Sequence, residues 1–552
     1  MVRIKCNWFA IFLFTCLVGE VSVHGQQTMD TELSNEEYRE LRKEVLNQDR
    51  PIIHNNDGCD AVYFPINESY SLSNFLDKRS SGLIGTDVKT LSYCTIASGF
   101  GNFTHRTKVG EELTDHGFNY GLRDDARNIT AEMFAHGTDP LKATVEFAHE
   151  HGFEVFWSNR MNDTHDAAHK RDQKFYLWTE FKEKHPEYLF GEIGEHLPNG
   201  RWSSLDFSNK EVRDLCVEFY REVCENYDVD GVELDFFRHL ELFGNVGKGG
   251  VATKEQVHLI TEMVKRIRMV TEEIGKKRGK PILVLTRIPT NPEYALKVGI
   301  DIKSWISEEL VDIVVGSGYF RLDFWENFAK LGLSNSVKIY AGFSESRVKD
   351  EHPFLIRQQN AVFRARAAAA WSAGIDGIYV FNQYNTRVKF LSEIGDPEKL
   401  KTTNNLYFVT YRDYTADRYL KGGNDYFSTS RISPTSGNHR KLGSGPIDFR
   451  IEIGDESQSA EVFLPVWTKN INPNDLHVQI NGKRTSLVTS EENGLVIFEL
   501  NQNHLKSGIN EMTMDYVGAK KDDIWIKDAA VFFCRDKSDL ELRDLINVCI
   551  SD

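Results

Sequence analysis

The chain has no apolar run long enough to cross a bilayer: the N-terminal one is too short, and no later stretch approaches the length required. Basic groups are in deficit. The 66 Lys and Arg face 82 Asp and Glu, for a net charge of −16, which argues against nucleic acid or an anionic membrane surface as partner. No Cys/His spacing resembles a zinc site. No glycine-rich phosphate loop follows an early strand. No internal repeat or low-complexity tract stands out. With 552 residues and none of these specialisations, two globular domains are the natural expectation.

What is present begins with MVRIKCNWFAIFLFTCLVGEVSVHGQQ. Arg3 and Lys5 precede an apolar stretch from Trp8 to Val18, and small residues follow near Ser22 and Gly25. This pattern reads as a signal peptide over residues 1–25 and predicts a secreted or periplasmic protein. Its loss removes Cys6 and Cys16, leaving Cys59, Cys94, Cys216, Cys224, Cys534 and Cys549. An even number permits disulfides in an exported chain. Cys534 with Cys549 is the preferred pair, since both lie in the C-terminal tail. Cys216 and Cys224 are eight apart on one predicted helix, about 12 Å along its axis, and should not pair. N-x-S/T sequons occur at Asn67, Asn102, Asn128 and Asn162, and matter in a eukaryotic secretory route.

From residue 51 onward, short apolar runs alternate with helical stretches. The strands are predicted at 51–56, 88–94, 153–159, 230–236, 281–287, 311–317, 337–343 and 376–382. Several are nearly continuous in β-branched and aromatic residues, as doubly covered parallel strands are. Between them, TKEQVHLITEMVKRIRMVTEEIGKK carries Val257, Ile260, Val264, Ile267 and Ile274 as one apolar stripe. DPLKATVEFAHEHG opens on an Asp cap and a Pro and closes at Gly152. The fold class is therefore α/β: a (β/α)8 TIM barrel over residues 51–404, longer than the usual ~250 residues. A leader helix occupies 26–50. After residue 405, AEVFLPVW, LHVQING, GLVIFEL, NEMTMDYVG and AAVFFC predict an all-β sandwich to residue 552. Its INGKR carries the Asn-Gly hairpin signal.

Barrel chemistry gathers at the C-terminal strand ends. VDGVELDFFRH, residues 229–239, places Glu233 and Asp235 inside an otherwise apolar strand, where an unpaired carboxylate is costly. The two side chains point the same way, Asp235 nearer the mouth and Glu233 one layer below, paired there with a cation such as Arg160 or Arg287. Other strand ends contribute Trp157, Asn159, Arg160, Asp163, His239, Arg287, Tyr319, Asn382 and Tyr384 as substrate-binding candidates, with Glu233. Two carboxylates flanking a bond are what glycoside hydrolysis requires, about 5 Å apart for retention and up to about 9.5 Å for inversion. Asp235 is the first catalytic candidate and Glu345 the second, with Asp163 and Glu293 behind it. Arg160, Arg238, Arg287 and Arg347 near one mouth would also suit uronate or sulfate groups. The cluster NDTHDAAH lacks a metal-ligand spacing, and no cofactor or metal is expected.

DGVELDFFRH resembles the strand-four signature DGIHLDYIRY of the family-10-like glycosyl hydrolases. DPLKATVEFAHEHGFEVFWSNR resembles their segment in which a helix ending in Ala-His precedes strand three. The resemblance covers roughly residues 50–400. It implies a (β/α)8 fold and hydrolysis of glycosidic bonds, with Asp235 at the matching acidic position. Glu233 stands where that pattern has His, and FRH replaces IRY. The same stretch resembles the alpha-amylase superfamily, in which an Asp is followed four positions later by His, as Asp235 is by His239. That superfamily's His-Asp pair after strand seven is absent here. LHVQINGKR and LKSGINEMTMDY look like the jelly-roll modules appended to glycosidases, read here as buttressing the barrel. The combined expectation is an exported hydrolase of a poly- or oligosaccharide. The alternatives are a non-catalytic glycan-binding barrel and a polysaccharide lyase.

Overall fold

A computed structural model describes residues 33–536 apart from 115–119, 335–336, 346–347, 349–350, 436, 444, 491–493 and 520–521. The predicted signal peptide, Arg347 and Cys549 lie outside the described residues, and with Cys549 the expected tail disulfide.

The chain enters through helix α1, Asn35–Leu46. Ser34 and Glu37 form a reciprocal capping box at its start. Its inner face carries Tyr38, Arg42 and Leu46, and Arg42 pairs with Glu272 at 2.8 Å and Glu309 at 3.1 Å. Eight parallel strands then close into a barrel. They are β1 Ile52–Asn56, β2 Val88–Cys94, β3 Glu154–Arg160, β4 Gly231–Asp235, β5 Leu283–Ile288, β6 Ile313–Gly316, β7 Lys338–Phe343 and β8 Gly377–Phe381. Each pairs with its sequence neighbours, and β8 returns to β1. The eight strands predicted from apolar runs are these eight, with ends that differ by one or two residues.

Four helices cover much of the barrel wall: α2 Pro140–Glu150, α3 Lys210–Asn226, α4 Lys254–Arg278 and α5 Asn360–Ser372. In α4, Ile260, Val264, Ile267 and Ile274 of the predicted stripe are buried, while Val257 is only partly so. Thr253 and Gln256 cap its start, and Gly279 ends it in the left-handed conformation (φ 65°), which costs other residues a Cβ clash. Cys216 and Cys224 sit buried and unpaired on α3, as their spacing requires.

The barrel's bottom is sealed by Leu46, Ile53, Phe156, Leu283, Ile313 and Tyr340. Arg50 lies against Glu154 there (2.6 Å and 2.7 Å), and Thr90 donates to the same carboxylate at 2.8 Å. This base holds the lower strand ends in register, leaving the upper ends to build a site.

Beyond the barrel, strands β9 Asn405–Phe408, β10 Ile447–Ile453, β11 Glu461–Lys469, β12 Leu476–Ile480, β13 Ser486–Ser490, β14 Leu495–Leu500, β15 Gly508–Tyr516 and β16 Trp525–Cys534 form two antiparallel sheets. One runs β9-β16-β11-β14-β13 and the other β10-β15-β12 with a short added strand, Lys483–Arg484. Asn481 (φ 48°) and Gly482 (φ 75°) make the hairpin that INGKR predicts. Strands β9, β10 and β13 have no counterpart among the predicted ones. In β10 the exposed Asp448 and Arg450 break the apolar run that would have marked it.

Candidate active site

Alternation along β4 turns Glu233 and Asp235 to the barrel interior, and register decides what stands beside them. Arg160 on β3 and Arg287 on β5 both pair in register with Asp235, so two guanidinium groups flank one carboxylate layer. Arg287 takes the carboxylate: its Nη2 lies 2.7 Å from Oδ1 and 2.8 Å from Oδ2 of Asp235. The Phe237 N–H donates to Oδ1 at 3.0 Å. Arg287 is wholly buried, and its guanidinium packs over the Phe381 ring at 4.0 Å. A Cβ on Gly318 would stand 2.5 Å from Arg287 Nη1, so the glycine leaves room for the cation.

Arg160 turns the other way, to Asp163 at 3.3 Å and Asp57 at 3.9 Å. Asp163 also accepts from Ser98 Oγ at 3.1 Å and from the His165 backbone N–H at 2.8 Å. Burial alone would raise the Asp163 carboxyl; His165, His239 and Arg160 outweigh it and hold the group well below the usual carboxylate range. Asp57 accepts from Arg79 at 2.5 Å and from the Tyr384 hydroxyl at 2.7 Å. Burial opposes its charge as well, and Arg79 and Arg160 reverse the effect and hold it low.

Glu233 keeps only a long ion pair with Arg287, one of the two cations expected for it, and takes its hydrogen bonds from other groups. It lies one layer below Asp235, fully buried, and accepts from Ser92 Oγ and from the Tyr379 hydroxyl at 2.8 Å and 3.0 Å, while Arg287 Nε stays 3.9 Å away. The reason is that Arg287 is already committed to Asp235. Burial and the Asp235 charge push the Glu233 carboxyl up to about 7. This position makes it a support beneath the site rather than a substrate contact.

Two further expectations are corrected by parity. Since Arg160 faces inward, Trp157 and Asn159 face outward. Trp157 is fully buried, donates to Thr95 Oγ1 at 3.0 Å and packs edge-on against Tyr220 of α3. Asn159 contacts Met161 Sδ at 3.9 Å on the same outer side. Neither can stack on or bind a ligand in the mouth.

The remaining candidates sit around the rim. His239 is buried, with Nδ1 accepting from the Thr164 N–H at 3.3 Å, and burial holds its imidazole well below the ordinary value. Tyr319 is buried between the guanidinium groups of Arg238 (5.2 Å) and Arg412 (4.9 Å) and stacks on Tyr414. Asn382 adopts φ 53°, and its buried Oδ1 has no hydrogen-bond partner among the described residues. Tyr384 is 44% exposed, with Arg79 over its ring at 4.1 Å. Glu345 is exposed just past the end of β7, unlike Asp235, which is 1% exposed. Glu293 is exposed in the first turn of a short helix after β5. In the NDTHDAAH cluster Asp166 pairs with Lys182 at 2.6 Å, and His169 stacks on Trp178. No group of metal-ligating side chains forms there or elsewhere among the described residues.

Asn55 Oδ1, Ser158 Oγ, Arg160 Nη2 and Arg287 Nη1 are buried without a hydrogen-bond partner among the described residues. Buried polar atoms are ordinarily satisfied, so such a group at the upper end of a barrel marks a place where a polar ligand supplies partners. Arg79, Ser92 and Tyr379 are missed in the sequence, where Asp57 stands out as one of the polar residues at the end of the first strand. Tyr379 had a visible signal, since its hydroxyl stands within the otherwise apolar strand GIYVF; Ser92 follows Lys89 and Thr90 in VKTLSYC and does not stand out.

No protein-family model and no curated protein matches the chain. Solved structures do. Alpha-L-fucosidase isoenzyme 2 from Paenibacillus thiaminolyticus is 13% identical, over 65% of this chain and 51% of that one, with a TM-score of 0.38. GH36 alpha-galactosidase AgaA from Geobacillus stearothermophilus is 13% identical over 87% and 56%, TM-score 0.36. A noncanonic maltogenic alpha-amylase, AmyB from Thermotoga neapolitana, is 12% identical over 83% and 98%, TM-score 0.32. This chain spans just over half the length of the fucosidase and the galactosidase. These neighbours are glycoside hydrolases by name. The barrel rests on this chain's own strand order, and nothing about substrate follows from likeness of this degree.

Proposed function

We propose that this protein is an exported glycoside hydrolase acting on an oligo- or polysaccharide. The observation that carries the reading is the Asp235 carboxylate at the mouth end of β4, gripped by Arg287, in a barrel whose upper end holds polar atoms with no hydrogen-bond partner among the described residues. A carboxylate at the mouth end of a barrel strand is placed to act as a nucleophile or general base on a bound glycan. Asp163 is held ionised, so it makes a poor proton donor. Glu345, exposed at the end of β7, is the second carboxyl proposed for the site. The N-terminal pattern of basic, apolar and small residues supports export.

A non-catalytic glycan-binding barrel is the second reading. It is favoured by the engagement of both Asp235 oxygens by Arg287, which leaves the carboxylate fewer free lone pairs.

Purified wild type, Asp235→Asn and Glu345→Gln, assayed for reducing-end release and for binding on neutral, uronic and sulfated polysaccharides, separate the two. Cleavage by the wild type with binding but no cleavage by Asp235→Asn supports the hydrolase. Equal binding by all three proteins with no cleavage anywhere supports the binding protein.

A further inference from the structure

The arginines nearest the barrel axis already have acidic or aromatic company. Arg287 is on Asp235, Arg160 on Asp163, and Arg238 lies over Tyr319 with His165 at 2.7 Å. A second set of arginines stands apart from them. Between the upper ends of β6 and β7, helix α5 and residues 409–431 lies a cavity of about 60 Å³, lined by Arg321, Arg366, Arg412 and Arg431 with Tyr411 and Ser344. Arg321 is neutralised by Glu452 at 2.6 Å. Arg366 and Arg431 make no ion pair among the described residues.

Arg366 can donate five hydrogen bonds. One goes to the Ser344 carbonyl at 3.0 Å, and the guanidinium otherwise lies over Phe343 (4.5 Å), Phe363 (5.3 Å) and Tyr411 (5.5 Å). Arg431 lies over Phe427 at 4.7 Å. Arg412 donates to Ser344 Oγ. The buried Tyr411 hydroxyl has no hydrogen-bond partner among the described residues. Burial pushes the Arg366 guanidinium down to about 9, the mark of a cation short of counter-charge. A water needs roughly 10–15 Å³ on this measure, so the space takes a few waters or one compact oxyanion and is too small for a sugar ring.

We propose that this cavity binds the oxyanion of an acidic sugar, a carboxylate or a sulfate ester, in the forks of Arg366 and Arg431 with the Tyr411 hydroxyl as a further donor. Forked guanidinium groups match both anions. Ser317, Gly318 and Ser344 at the strand ends line the cavity, and Tyr319 of the mouth stacks on its Tyr414, so the cavity adjoins the Asp235 mouth. The inference rests on the glycan reading for the identity of the ligand and moves the anion contact away from the axial arginines to this cavity.

Calorimetric titration of the full chain with sodium sulfate, glucuronate, glucose 6-sulfate and glucose at constant ionic strength tests it. Variants Arg366→Met and Arg431→Gln accompany the wild type, with thermal melts to check folding. The acidic sugars and sulfate should bind well above glucose. Arg366→Met and Arg431→Gln should each weaken them about tenfold or more. If Arg366→Met fails to fold, the partly exposed Arg431 carries the test. Absence of sulfate binding by the wild type, indifference to both arginine changes, or sulfate binding without any acidic sugar overturns the proposal. Cleavage of neutral glycans without sulfate binding would sink this inference and spare the hydrolase. Sulfate and acidic-sugar binding through Arg366 with no cleavage anywhere would do the reverse.

Discussion

A single nitrogen of Arg287, Nη2, bridges both carboxylate oxygens of Asp235 at 2.7 Å and 2.8 Å, and neither residue is more than 1% exposed. The pair explains how an apolar strand tolerates an acidic residue. A buried ion pair contributes little by itself, but either half alone is an uncompensated charge.

Arg287→Met should therefore lower the unfolding free energy by about 3–5 kcal/mol. Adding Asp235→Asn to it should recover part of that loss. Urea unfolding of the two single variants and the double variant gives the coupling. Strictly additive losses would mean that the two side chains do not depend on each other.

Stability should fall as pH rises. Burial and Asp235 push Glu233 from 4.5 up to about 7, and burial pushes Glu241 up to about 8. A raised folded-state pKa means the folded chain holds protons that the unfolded chain has released. The contribution is complete below about pH 4.5 and is lost as pH rises through these values. Urea midpoints of the wild type should drop over that range, and those of Glu233→Gln and Glu241→Gln should drop less. Identical slopes in all three proteins would rule this out.

Trp157 packs on the outside of the barrel wall, so Trp157→Ala should cost about 3–5 kcal/mol through lost packing. Glycan affinity of the folded variant, measured well below its Tm, should match the wild type. A selective loss of affinity would return Trp157 to the site.

Of the four sequons, Asn67 is exposed. Asn102 is buried, Asn162 is buried and donates to the carbonyls of Leu205 and Glu241, and Asn128 donates to Leu113 O at 2.9 Å. Material folded in a eukaryotic secretory pathway should carry its glycan at Asn67 and lose it in Asn67→Gln. Peptide mapping that finds glycan on Asn162 of the folded protein would contradict the packing described here.

Local pattern made much of this legible. Eight apolar runs of strand length, Asp139 capping α2 and Gly152 closing it, the stripe of α4, and the Asn481-Gly482 turn are all short-range features, and each is found where the residues place it. Asp235 was legible for the same reason: a carboxylate at the end of an apolar strand conflicts with its surroundings and so calls for a partner. Alternation was legible only in relative terms. It says that Trp157 and Asn159 share a side, and that Ser158 and Arg160 share the other.

Tertiary structure decided which side is the inside. It also decided that Arg287 rather than Arg160 meets Asp235, and that Glu233 rests on Ser92 and Tyr379, 141 and 146 residues away in the chain. It set the arginines of the 409–431 segment beside Arg366 of α5. Barrel closure and strand stagger fix these meetings, and both depend on contacts among all eight strands at once. A one-residue change of register would have sent the same side chains to the opposite face.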